Sequence, residues 1–134
     1  MGRLVSEVMH RGIIACSSDT SVQEVARTLT EQDVSALVVT DNEALVGIIS
    51  RTDVVNARLY EQYWTQWHSL TAAHIMTKDV LTVPADASLE HAGRLLMERH
   101  IHRLVVVEER AGRAIPIGVL SLTDIVRDLA TGHF

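Results

Sequence analysis

Apolar residues along this chain change rhythm several times, and the changes occur twice in the same order. Val22, Val25, Ala26 and Leu29 fall at i, i+3, i+4 and i+7, the spacing of one face of a helix. Leu89, Ala92 and Leu96 follow part of the same spacing. Asp19 with Ser21, and Asp86 with Ser88, precede these stretches as N-cap chemistry. Short apolar segments come before them, Ile13–Cys16 and Val80–Val83, and read as extended. Paired β-rich runs joined by a polar turn come after: Ala36–Thr40 with Leu45–Ile49, and Leu104–Val107 with Ile115–Leu120. Each second run leads into another apolar helical start, Val54-Val55 or Ile125-Val126. The predicted order is β-α-β-β-α, twice, an α+β chain of tandem repeats with pseudo-two-fold symmetry.

The repeats align residue by residue. An offset of 67 pairs Met9 with Met76, Asp19 with Asp86, Ser21 with Ser88, and Leu37-Val38-Val39 with Leu104-Val105-Val106. The offset then becomes 71. The four extra residues lie within Glu108–Ala114, where a surface loop is expected.

The densest match is Gly47-Ile48-Ile49-Ser50-Arg51-Thr52-Asp53 against Gly118-Val119-Leu120-Ser121-Leu122-Thr123-Asp124. A strand that stops at serine and turns at once into a helix leaves backbone N–H groups free at the helix start. With the helix dipole and a hydroxyl, they form a seat for an anion. A carboxylate in the first turn can accept two hydrogen bonds from a vicinal diol. Ser-x-x-Asp is also a helix-capping pattern, so the same residues serve either end.

Composition removes several function classes. The chain has 134 residues and is 47% apolar and 22% charged, as a globular chain would be. A net charge of −5 disfavours nucleic acid as partner. Cys16 is the single cysteine, so no internal disulfide forms, and it reads as a small buried thiol. No apolar run reaches membrane-spanning length and the N-terminus has no signal-peptide core, so a soluble, cytoplasmic protein is expected. His91, His100 and His102 lack the carboxylates or cysteines of a metal site, and no metal is assigned. No nucleophile–base arrangement or P-loop is present, so no catalytic residue is named and no enzyme activity expected.

The ordered motifs resemble a pair of cystathionine-β-synthase (CBS) domains over nearly the whole chain. Gly47-x-x-Ser50-x-x-Asp53, Gly118-x-x-Ser121-x-x-Asp124 and the strand openers Val8-Met9 and Ile75-Met76 carry that resemblance. It implies a regulatory module for adenosine-containing ligands such as AMP, ADP, ATP or S-adenosylmethionine, with no obligatory cofactor. It also implies Ser50 and Ser121 on phosphate, flanked by Thr52 and Thr123, and Asp53 and Asp124 on ribose. Adenine would lie against Ile13, Ile14, Ala36 and Leu37 in one site, and against Val80, Leu81, His102, Arg103 and Leu104 in the other. The chain departs from the family at Val38 and Val105, where many members carry Pro. It departs again at Thr52 and Thr123, where many carry Arg, which weakens the grip on a triphosphate. The second site gathers Lys78, His102 and Arg103 and the first only Arg11 and Arg51, so the second is expected to bind more tightly.

The connecting stretch carries a separate signal. Tyr60, Tyr63, Trp64 and Trp67 fall at i, i+3, i+4 and i+7, on one face of a helix continued from the first motif. Aromatic side chains are enriched at interfaces, so this face is expected to form a homodimer contact. The expected organisation is repeat 1 at 1–59, an aromatic helical linker at 60–72 and repeat 2 at 73–134. The function expected is ligand sensing relayed to a separate effector protein. The competing reading is a structural dimerisation module with unoccupied clefts.

Overall fold

The computed structural model describes residues 2–60 and 65–132. Its elements are α1 (Val5–Val8), β1 (His10–Arg11), β2 (Ala15–Cys16), α2 (Val22–Glu31), β3 (Ala36–Asp41), β4 (Ala44–Ser50) and α3 (Arg51–Leu59). A single 3₁₀ turn, Trp67–Ser69, leads to α4 (Ala72–Ile75), β5 (Thr82–Pro84), α5 (Leu89–Glu98), β6 (Arg103–Arg110), β7 (Arg113–Ser121) and α6 (Leu122–Ala130).

The two amphipathic helices and the paired strands predicted for each repeat form, and the reasons are local. Ser21 caps α2 by accepting from Glu24 N–H at 3.1 Å, and Ser88 caps α5 by accepting from His91 N–H at 3.1 Å. Both helices end alike. Asp33 and His100 adopt left-handed φ of 50° and 54°. Val34 N–H then reaches back to Leu29 C=O at 3.2 Å, and Ile101 N–H to Leu96 C=O at 3.1 Å. This is the Schellman closure, and Val34 and Ile101 pack against the cores that hold Leu29 and Leu96. His100 thus terminates a helix.

Two-residue turns close both hairpins, with positive φ at Asn42 and Glu43 and again at Ala111 and Gly112. Such turns match the twist of the strands they join. The four extra residues of the second repeat do not form a loop. They lengthen the hairpin by two pairs, Glu109 with Ala114 and Arg110 with Arg113, beyond Glu108–Ile115, the counterpart of Asp41–Ala44. This charged stretch, with a positive-φ pair at its centre, gains ladder hydrogen bonds that an open loop would forgo.

The segments opening each repeat differ from expectation. Val8-Met9 and Ile75-Met76 do not begin strands: Val8 and Ile75 are the last residues of one-turn helices, α1 and α4. Glu7 Oε1 accepts from Leu4 N–H at 2.7 Å, and His74 Nδ1 accepts from Thr71 N–H at 2.8 Å. Side chains at equivalent positions therefore start both turns.

The compact units also differ from the repeats read in sequence at 1–59 and 73–134. One unit comprises residues 1–13 and 81–134, the other residues 14–80. The opening segment of each repeat belongs with the body of the other. In the first unit, the sheet order is β1-β7-β6-β5. His10 pairs with Val119 and Arg11 with Gly118. Arg3 at the head of α1 holds Asp128 of α6 at 2.7 Å. Val5, Met9, Val83, Ala92, Leu96, Leu104, Val106 and Leu120 form its core. In the second unit, the order is β2-β3-β4, and Thr77 just beyond α4 bridges Ile48 of β4. Val25, Leu29, Leu37, Val39, Ile49 and Ala72 form its core. Full burial of each valine, leucine, isoleucine or methionine among them contributes about 1.5–3 kcal/mol.

The motif glycines exist for this arrangement. A Cβ on Gly47 would lie 2.6 Å from Met76 Sδ, and one on Gly118 would lie 2.6 Å from His10 O and 3.0 Å from Met9 Sδ. Each glycine makes room for the opening segment laid across its strand.

The linker does not continue α3. Tyr60 leaves the helix with ψ of 116° and is exposed, while Trp67 is half-buried beneath Arg58, whose guanidinium sits 5.4 Å from the ring centroid. Tyr63 and Trp64 lie outside the described residues. Among the described residues, no helix is long and apolar enough to cross a membrane.

Candidate functional site

Each motif builds the same junction in its own unit. Ser50 ends β4 in extended conformation and is the N-cap of α3, and Ser121 does the same for β7 and α6. Ser50 Oγ accepts from Asp53 N–H at 3.2 Å, and Asp53 Oδ2 accepts from Ser50 N–H at 2.8 Å. The Ser50 hydroxyl also donates to Oδ2 at 3.0 Å. In the second junction, Ser121 Oγ accepts from Asp124 N–H at 3.1 Å and Asp124 Oδ2 accepts from Ser121 N–H at 2.9 Å. Both motifs therefore form complete capping boxes.

The sheet uses one more amide at each start. Arg51 N–H donates to Ser35 C=O and Leu122 N–H to His102 C=O, each at 3.0 Å. An α-helix begins with four N–H groups that have no partner inside it. Here three are satisfied at each start. The fourth belongs to Thr52 in α3 and Thr123 in α6, and no hydrogen bond among the described residues reaches either. Both threonines are exposed. Each junction therefore offers one unused amide and one open hydroxyl on the positive end of a helix dipole. The serines expected to hold phosphate are engaged in capping, so the threonines present the open groups.

The carboxylates differ in what they leave open. Asp53 uses Oδ2 in its cap, and among the described residues nothing pairs with Oδ1. Asp124 uses Oδ2 in its cap, and its Oδ1 lies 3.3 Å from Arg127 Nη1. The position equivalent to Arg127 in the first repeat is Asn56. Arg51, expected at the rim of the first site, instead faces Asp33 at 3.3 Å. Arg127 escaped the sequence reading, although an acid and a cation at i and i+3 are a legible helix pair.

The residues expected against adenine and at the rim are placed in different ways. Ala36 sits directly across the ladder from Ser50 and Arg103 across from Ser121, so antiparallel pairing sets each beside its motif serine. His102 is exposed and tied to its helix start through the backbone bond to Leu122. Leu37 and Leu104 are corrected: both are fully buried in the cores and offer no side-chain wall to a ligand. Strand alternation forces this, because the residue beside Ala36 or Arg103 points to the opposite face. Ile14 and Leu81 lean on the cores, and their carbonyls accept from Val38 N–H at 3.0 Å and Val105 N–H at 3.2 Å. Ile13 belongs to the unit of the second motif, whereas Lys78 and Val80 belong to the unit of the first. Lys78 is exposed, and Ile13 and Val80 are half-buried.

Other reactive groups do not converge. Among the described residues, no three of His, Cys, Asp and Glu come together as a metal site. Burial pushes the half-buried Cys16 thiol above its ordinary range, Thr20 opposes the shift and the charge of Asp41 adds to it, which leaves a poor nucleophile.

The CBS domain family model matches residues 5–60 and 72–131. Inosine-5'-monophosphate dehydrogenase of Korarchaeum cryptofilum is 33% identical over 115 residues, 86% of this chain. The chain spans 22% of that protein's length. A crystal structure of CBSX2 in complex with AMP superposes with a TM-score of 0.83 at 28% identity, covering 99% of this chain and 100% of that one. CBSX2 is a CBS-pair protein of Arabidopsis thaliana. The CBS domain pair of protein MJ0100, crystallised with 5'-methylthioadenosine and S-adenosylmethionine, also gives a TM-score of 0.83, covering 98% of this chain and 99% of that one; at 24% identity it is a likeness of fold.

Proposed function

Because the chain belongs to the CBS domain family, we propose that it is a regulatory module that binds an adenosine nucleotide at its two serine-led helix starts. The observation that carries this is the single unused N–H and open hydroxyl of Thr52 and of Thr123, each next to a capped aspartate. Phosphate would take the threonine groups, and the ribose diol would take the aspartate. AMP in CBSX2 supports the ligand class. Threonine in place of a motif arginine, and Arg51 held by Asp33, favour a nucleoside or monophosphate over ATP. S-adenosylmethionine remains in the same class. Arg103 and His102 beside the second start, against Ala36 and Ser35 beside the first, favour tighter phosphate binding at the second.

Thermal unfolding with AMP, ADP, ATP and S-adenosylmethionine tests the reading. A native-state ligand at 100 times its Kd adds about 2.7 kcal/mol, a rise of several degrees in midpoint. No rise with any of them defeats it. The scaffold reading, a dimerisation module with unoccupied clefts, draws on the capping boxes, which already use both serines and one oxygen of each aspartate. It predicts that flat outcome.

The same proposal makes the module non-catalytic and cytoplasmic, and has it act on a separate effector protein. A ligand shifts an effector only as far as it binds two arrangements of the module with different affinity. It further holds that the chain is a homodimer through the aromatic stretch Tyr60, Tyr63, Trp64 and Trp67. Sedimentation of Trp64→Ala/Trp67→Ala as a monomer is expected. A dimer like wild type removes this part.

A further inference from the structure

The two aspartates are not interchangeable. Asp53 Oδ1 has no partner among the described residues, whereas Asp124 Oδ1 is held by Arg127. The Asp124 side chain is 13% exposed and the Arg127 side chain 70% exposed, so an exposed guanidinium covers the one open oxygen of a mostly buried carboxylate. Asn56 at the matching position of the first repeat makes no hydrogen bond to Asp53.

On the nucleotide-binding reading above, a diol arriving at the first start meets a vacant acceptor. A diol arriving at the second must displace Arg127 or share Oδ1 with it. A neutral nucleoside gives the displaced guanidinium nothing in return. A phosphate-bearing ligand returns a charge-assisted hydrogen bond. We infer that Arg127 is a specificity-determining residue that makes the second site discriminate against uncharged nucleosides while accepting nucleoside monophosphates, and that the first site lacks this discrimination because Asn56 stands there.

The displaced contact is an exposed ion pair, so the effect is modest, about two- to fivefold in affinity. Calorimetric titration with adenosine and with AMP measures it. Asp53→Ala leaves the second site as the one read, and Asp53→Ala/Arg127→Gln is expected to bind adenosine about two- to fivefold more tightly than Asp53→Ala, with AMP binding unchanged or weaker. In the reverse transplant, Asp124→Ala/Asn56→Arg is expected to bind adenosine more weakly than Asp124→Ala. Thermal midpoints without ligand confirm that both surface changes leave the fold intact. Unchanged adenosine affinity on Arg127→Gln, with AMP binding still dependent on Asp124, overturns this inference and leaves nucleotide binding standing. AMP affinity untouched by either aspartate change overturns the binding reading, and this inference with it.

Discussion

Alanine at the two motif glycines separates packing from ligand binding. At Gly118 the new methyl would sit 2.6 Å from His10 O, a backbone atom in a two-residue strand paired to Val119 and Gly118. Relief requires β1 to lift from β7, which breaks that pairing and loosens α1 behind it. At Gly47 the clash is with Met76: 2.6 Å to Sδ, 2.9 Å to Cγ and 3.1 Å to Cβ. A methionine side chain can swing its sulphur away, although its stem stays tight. Overpacking a fitted site costs about 1–3 kcal/mol. Gly118→Ala is expected near the top of that range and Gly47→Ala near the bottom. Urea denaturation without nucleotide gives both, and thermal midpoints should fall by about 3–5 °C per kcal/mol for a chain of this size. Adding Met76→Ala to Gly47→Ala should cost less than the two changes summed, since the second removes the clash of the first. Two neutral alanines, or a larger loss at Gly47 than at Gly118, would refute the claim that these glycines seat the opening segments.

Removing residues 1–12 should expose amides of β7 around Gly118 to hydrogen exchange while β3 and β4 keep their protection, because those residues belong to the unit of the second repeat. Protection lost first in β3 would reverse that assignment. Ser50→Ala and Ser121→Ala should each cost about 1 kcal/mol without ligand, the usual worth of an N-cap, as read by urea midpoint; a cost seen only with AMP present would mean that the serines serve the ligand and not the helix. Cys16 should react slowly with iodoacetamide at pH 8. Its folded pKa lies above the ordinary 9.0, so its contribution to stability is present below pH 9 and lost as pH rises through the folded value. Cys16→Ala should therefore lose less stability than wild type between pH 8 and pH 10.

Sequence alone determined the longer helices, the hairpins and their duplication. Apolar residues at helical spacing marked α2 and α5, serine caps set their starts, and the two paired β runs placed both hairpins. These features depend on neighbours within a few residues, and such signals lie in the local order of side chains. The motif serines and aspartates were legible for the same reason, and so was their double meaning as caps. Tertiary structure decided what lies beside what. Nothing in the spacing of Met9 or Met76 says that each lies across the glycine of the other repeat, because a one-turn helix and a two-residue strand have no period of their own. The burial of Leu37 and Leu104 followed from which face of β3 and β6 turned inward, a choice made by α2 and α5 docking there. Periodicity tells a chain which of its faces avoids water; only the assembled fold supplies the partner that covers it.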